Sequence, residues 1–455
     1  MSSGSITIAV HRLLRLVYTL FLLIAGIRLA EAQPPQYTIH DLGAGAIPVA
    51  INKSGQVAGY IFTSDNHSHA FRTAPNSAIN PATDDLGTLG GASSVALGIN
   101  ASGQVVGEST TASGETHGFR TAANALINPA TDDIGTLGGN PTYTVATGIN
   151  DSGQVVGGSR PTTGYYLHAF RTAPNSAINP ATDDIGTGTF SPTRANFGNS
   201  GFSINKAGDV AGGYVPVQYY SAFVYAGGTI TEIPGFLLAP GLNFTGINDQ
   251  GQVAGNAQNY PGGIQVWQNG TLTTVLTPDQ CDCVPTAINN SLQMVGNAIS
   301  GTYYSFLYTG RVVYKLSDLI PPGSGWVLNG ATPAINDLGQ IVGTGSLNGT
   351  THAFRLDPGC AAPSITDVSA SPSVIWPPNH KFVPVSIGYT GKSSCEASYS
   401  LSVSGNGGSS VVVDAHNVEV AADKDIVYTI TVIGTTSGGT TTASVQVSVP
   451  HDEGH

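Results

Sequence analysis

INKSGQVAG at 51–59, INASGQVVG at 99–107 and INDSGQVVG at 149–157 are near-copies of one nine-residue phrase. Four further copies follow: INKAGDVAG at 204–212, INDQGQVAG at 247–255, INNSLQMVG at 288–296 and INDLGQIVG at 335–343. The starts lie 48, 50, 55, 43, 41 and 47 residues apart. A phrase returning at that period marks stacked supersecondary units, none of which buries its apolar face alone. Within the phrase, the Asn of Asn-x-x-Gly hydrogen-bonds into the turn backbone, and the Gly takes the positive φ that closes a short hairpin. Leu292 stands in the Gly place of the sixth copy, so a different turn is expected there.

Around each phrase the pattern reads as four short strands. In the second unit these are Val95–Asn100 (A), Gln104–Gly107 (B), His117–Thr121 (C) and Asp133–Leu137 (D). Gly (59), Pro (27) and a charged fraction of 10% fit an all-β chain of many short strands. Four strands per forty to fifty residues is the spacing of a β-propeller. Tyr37–Gly43 resembles a D strand without a unit, and the seventh unit stops at His352–Leu356 without one. The N-terminal segment then supplies the outer strand of the last blade and closes a seven-bladed ring over residues 36–358, which removes its exposed edges. The competing arrangement, an open β-solenoid, would not need that strand from the far end.

The units resemble the bacterial extracellular HAF-repeat family through His69-Ala70-Phe71, His168-Ala169-Phe170 and His352-Ala353-Phe354, and through the DLGTLGG and GINxxGQVVG stretches. Units four to six diverge, with Ser221-Ala222-Phe223, Gln265-Val266-Trp267 and Ser305-Phe306 in place of the tripeptide. The resemblance implies an exported protein and brings no activity with it.

The ends support export. His11, Arg12 and Arg15 precede an apolar run from Leu16 to Ile27, and Ala30-Glu31-Ala32 offers a cleavage site, so 1–32 reads as a signal peptide rather than a membrane anchor. The chain carries 16 Lys and Arg against 28 Asp and Glu; loss of Arg12, Arg15, Arg28 and Glu31 with the leader leaves 13 against 27. Such acidity disfavours nucleic acid, which requires clustered cations. The expected location is secreted or at the cell surface. Beyond Asp357, residues 362–455 alternate in runs that suit an immunoglobulin-like β-sandwich. Its WPPNHK (376–381) and VPHD (449–452) segments resemble small Ig-like modules of bacterial exported proteins, and Trp376 is expected in its core. Cys360 and Cys395 flank the start of this module and are expected to form a disulfide; Cys281 and Cys283 make either a strained local bridge or two free thiols, a metal site being disfavoured because no His or second Cys pair accompanies them.

His69, His117, His168 and His352 recur at one station of different blades, too far apart to share a metal, so a structural hydrogen-bonding role is expected. The pairs Asp84-Asp85, Asp132-Asp133 and Asp183-Asp184 sit in nearly identical turns. Repetition favours turn capping over calcium binding or glycoside cleavage, which needs one unique constellation. No cofactor is expected. The residues that break the repeat are aromatic: Tyr165, Tyr166, Tyr219, Tyr220, Tyr260, Tyr303 and Tyr304 between strands B and C, and Phe190, Phe197 and Trp326 between D and the next A. Rigid amphipathic rings suit contact with an extracellular polysaccharide or a surface protein, although some would pack between blades instead. A noncatalytic binding or adhesion protein is therefore expected. The alternatives are a polysaccharide lyase or glycosidase at the propeller mouth, which would use a charge cluster such as one including Arg194, and a structural surface-layer component.

Overall fold

The computed structural model describes residues 34–451 apart from 164–166, 187–199, 215–219, 239–245, 258–262, 276–282, 299–302, 330–332, 360–361, 394–396 and 437–438. The signal segment 1–32 lies outside the described residues. The protein is all-β and built of small antiparallel sheets. Units one to three each form a three-stranded A-B-C sheet, for example Gly90–Ile99, Val105–Thr111 and Thr116–Arg120. Unit six has four strands, and units four and five run together through Phe236↔Ala257. The A strand bulges just before the Ile-Asn step in units one, two, three, four and six. An extra residue there bends and twists the strand into its turn.

The expected D strands of units one to three are shorter than full strands. Each is an isolated bridge: Phe71↔Asp85, Phe119↔Asp133 and Phe170↔Asp184. In unit two, Arg120 N donates to Asp132 O and Ile134 N donates to Gly118 O, after which Gly135 (φ 76) turns the chain away.

Apolar burial explains why the units stay together. The aromatic ending each HAF tripeptide is buried, as are its replacements Phe223, Trp267 and Phe306. Each ring joins a cluster with the preceding unit: Phe119 with Ala58 and Ala70, Phe170 with Val106 and Ile134, Phe306 with Ala254 and Ile264. Phe71 of unit one packs with Val342 and Ala353 of unit seven. Burying one such side chain contributes about 1.5–3 kcal/mol. The divergent tripeptides therefore keep the one feature the packing needs.

The strand Tyr37–Ala44 pairs antiparallel with Thr350–Pro358, in register from Tyr37↔Pro358 to Ala44↔His352. Tyr37 and Leu42 of this strand are buried. The closure expected from the sequence is thus present as backbone pairing.

Beyond it, Ser364–Ser371, Phe382–Lys392, Asn417–Ala421 and Ser410–Val412 form one sheet, and Ser398–Gly405, Ile426–Thr436 and Gly439–Val449 a second. Tyr428, Ile430 and Val432 of one sheet meet Val385, Ile387, Val418 and Val420 of the other in a common core. Trp376 does not enter that core: it is 41% exposed, and its neighbour Ile375 takes the buried place. Cys283 is buried and disulfide-bonded, which rules out a free thiol there; its partner, like Cys360 and Cys395, lies outside the described residues.

Candidate functional site

The Asn of the repeated phrase does more than close its own turn. Asn52 Oδ1 accepts from Ser54 N and Gln56 N, while Nδ2 donates to Gln56 Oε1 and, at 3.0 Å, to the main-chain oxygen of Asn100 in the next unit. Asn100 reaches Asn150, Asn150 reaches Asn205, and Asn205 reaches Asn248 in the same way. Asn248 then reaches Asn289, Asn289 reaches Asn336, and Asn336 returns to Asn52 O at 2.8 Å. The cycle closes on itself. Only an amide supplies two acceptor and two donor functions at one buried position. Asp209, where the other phrases have Gln, still accepts from Asn205 at 3.1 Å.

A second set of bonds lies outside this ring. Gln56, Gln104 and Gln340 donate to Asn124, Asn175 and Asn76 of the following unit, at 3.0, 3.1 and 3.0 Å. Arg72 donates to Gly103 O and Ala125 O, Arg120 to Ser176 O, and Arg171 to Gly208 O. In units one to three the arginine after the tripeptide is thus a staple to the next unit, whereas Arg355 of unit seven pairs with Asp357 of its own strand.

The ring surrounds a cavity of about 290 Å³, lined by the Ile-Asn-x tripeptides from Ile51-Asn52-Lys53 round to Ile335-Asn336-Asp337. The x residues at its rim are Lys53, Ala101, Asp151, Lys206, Asp249, Asn290 and Asp337. Four of their backbone N–H groups are capped by the next unit's x side chain: Ala101 by Asp151 (2.8 Å), Lys206 by Asp249 (2.9 Å), Asp249 by Asn290 (2.8 Å) and Asn290 by Asp337 (2.9 Å). Sequence reading took these positions for turn residues. Their convergence was hidden because each lies one whole unit from its neighbour.

The recurring histidines fill the structural role expected of them. His69 Nδ1 lies 2.9 Å from Asp85, His117 2.7 Å from Asp133, His168 2.9 Å from Asp184, and His352 2.9 Å from Asp41. The last pair joins the closing strand to unit seven. In the Asp pairs, the first carboxylate accepts its own turn's N–H, as from Asn80 N to Asp84, and the second serves the His and a Gly N–H. Among the described residues no three His, Cys, Asp or Glu side chains converge as a metal site would need.

At the opposite end of the strands, Tyr303 is 56% exposed on the loop before Tyr304–Thr309. Tyr304 departs from the expected loop position. It opens the strand, is 7% exposed, and lies under the Lys315 ammonium at 4.8 Å. Trp326 is half-buried, edge-on to His352 and Phe354 at 6.1 and 6.0 Å, so its ring packs unit seven. Tyr220 opens the strand Tyr220–Ala226. Tyr165, Tyr166, Tyr219 and Tyr260, with Phe190, Arg194 and Phe197, lie outside the described residues. Sequence reading passed over Glu108 and Tyr143, where units two and three meet. Tyr143 Oη donates to Glu108 Oε2 at 3.4 Å. Burial pushes the Glu108 carboxyl above its ordinary range, and burial with the nearby carboxylate pushes Tyr143 up to about 12.

No protein-family model and no curated protein matches the chain. Among solved structures, a mutant of Aleuria aurantia lectin in complex with α-methyl-L-fucoside is similar at a TM-score of 0.32 and 9% identity, over 72% of this chain and 96% of that one. A triple arginine-to-alanine mutant of AofleA from Arthrobotrys oligospora gives 0.32 and 11%, over 62% and 90%. The BP39L lectin from Burkholderia pseudomallei gives 0.24 and 12%, over 91% and 99%.

Proposed function

We propose that residues 36–358 form a seven-bladed β-propeller closed by its N-terminal outer strand, that 362–455 form an immunoglobulin-like module, and that the exported protein is a noncatalytic binder or adhesin. Its partner is an extracellular polysaccharide or a surface protein, met by the loops between strands B and C. One observation carries this reading: the repeated polar residues are committed to bonds within and between units, whereas Tyr303, where the repeat breaks, stands 56% exposed. Exposed aromatic rings on a rigid frame contribute contact area at small conformational cost. Tyr165, Tyr166, Tyr219 and Tyr260 fall in the corresponding connections of units three to five, and Tyr220 opens the strand that follows the unit-four connection. Tyr304 and Trp326 support the frame from within.

The test is a glycan array with a release assay on every polysaccharide retained, using the full chain and Tyr219→Ala/Tyr220→Ala/Tyr303→Ala. Retention without new reducing or unsaturated ends, lost in the triple variant, is expected. New chain ends would indicate a lyase or glycosidase, and unchanged retention in the variant would remove the tyrosine face.

A further inference from the structure

The rim of the axial cavity contains its own description of a ligand. Four of its seven x-position N–H groups are capped by an Asp or Asn oxygen of the next unit, at 2.8–2.9 Å. At the other three, Lys53, Asp151 and Asp337, the next unit offers Ala101, Lys206 and Lys53, which have no side-chain acceptor. Among the described residues these three N–H groups have no hydrogen-bond partner. At two of them the missing carboxylate is replaced by a cation: Lys206 follows Asp151, and Lys53 follows Asp337 round the closure.

We propose that the axial mouth binds carboxylate groups of an acidic saccharide at these two stations, each carboxylate taking the place of the absent cap and pairing with the adjacent lysine. A carboxylate bonded by the N–H and met by the flexible lysine ammonium makes a charge-assisted contact, stronger than a neutral one. The acidic side chains on the rim are already engaged. Asp151 accepts from Ala101 N, Asp249 pairs with Lys206 and Asn290, and Asp337 holds Asn290 through both oxygens. Lys53 forms no ion pair among the described residues, whereas Lys206 is shared with Asp249 at 3.6 Å, so the station of Asp337 and Lys53 is the stronger of the two. The rim's own charges nearly cancel, three Asp against two Lys, and salt screens the rest of the chain's net charge of −12 over about 8 Å. This site is at the A-B turn end of the strands, away from Tyr303, so it goes beyond the tyrosine-face reading and does not depend on it.

The probe is D-glucuronate, with D-glucose as its neutral counterpart, titrated calorimetrically into the full chain. Glucuronate binding without glucose binding is expected. Lys53→Asp/Lys206→Asp installs the repeat's own caps and should weaken glucuronate at least about tenfold while leaving the melting temperature equal or higher. Lys53→Met/Lys206→Met leaves the N–H groups uncapped and should retain part of the affinity. The site is overturned if the native chain does not bind glucuronate, if glucose binds as well, or if the Asp pair leaves binding unchanged. Equal loss in the Met and Asp pairs also overturns it, since the N–H groups would then contribute nothing. The tyrosine variants should leave this binding intact whatever they do to polysaccharide retention.

Discussion

Asn150 shows how much one repeated side chain does. It is buried, and its amide joins Ser152 N, Gln154 N, Gln154 Oε1 and Asn205 O. Asn150→Ala leaves these groups short of partners and should cost about 1–3 kcal/mol. Asn150→Asp should cost more, because a carboxylate oxygen would face two acceptors; urea midpoints on both variants check the order. Glu108 makes the opposite case. Its carboxyl is raised by burial, so the folded state holds the proton more tightly than the unfolded chain, and stability falls as pH rises above the ordinary glutamate value. Glu108→Gln should therefore raise the melting temperature at pH 7 and leave it nearly unchanged at pH 4. A variant that gains equally at both pH values would show that charge is not the cause. The sequence made the turn role of Asn150 legible through its Gly three residues on. It hid the bond to Asn205, because a partner 55 residues away has no local signature. The pairing of Glu108 with Tyr143 was hidden for the same reason.

The turns themselves test how far sequence chemistry dictates an element. Gly153 sits at φ 77, and an added Cβ would run into the Asn175 side chain, so Gly153→Ala meets both backbone strain and a clash. It should lose about 2 kcal/mol in a denaturant titration. Leu292 was expected to impose another turn. Instead it adopts φ 57 and donates its N–H to Asn289 O, as Gly153 does to Asn150 O. The inter-unit asparagine bonds on either side of the sixth turn hold it in the common shape, and tertiary context overrides the local preference. Leu292→Gly should thus keep or raise stability, because relief of strain offsets the packing and chain entropy lost; a loss above about 1 kcal/mol would place the strain elsewhere. Strands A to C were legible from alternation, whereas the D segments of units one to three shrink to bridges where Asp and Gly cap and turn the chain. Trp376 was misread because Ile375, one residue away, points the other way and fills the core.

At the scale of the whole molecule the decisive contact joins the chain's two distant parts. The seventh unit was legible as incomplete and the first segment as surplus, and counting strands was enough to bring them together. The cavity was not legible, because it exists only once every Ile-Asn-x step faces a common axis. Strand Tyr37–Ala44 contributes two buried side chains, each worth about 1.5–3 kcal/mol, and its Asp41 pairs with His352. Burial pushes the Tyr37 hydroxyl up to about 12, so the folded ring resists ionisation that the unfolded chain undergoes near 10. Stability should then decline as pH rises above 10, and Tyr37→Phe should flatten part of that decline. Removing residues 37–44 exposes the whole edge of Thr350–Pro358, and an unpaired edge recruits other chains. The truncated protein should melt several degrees lower and elute as self-associated species in size-exclusion chromatography with light scattering. A synthetic peptide of residues 36–45 should return it to the monomeric profile, because its pairing register is set by the strand it meets. If the truncated chain stays monomeric and equally stable, the outer strand is ornament, and the closure rests on the asparagine ring and the Phe71 contact alone.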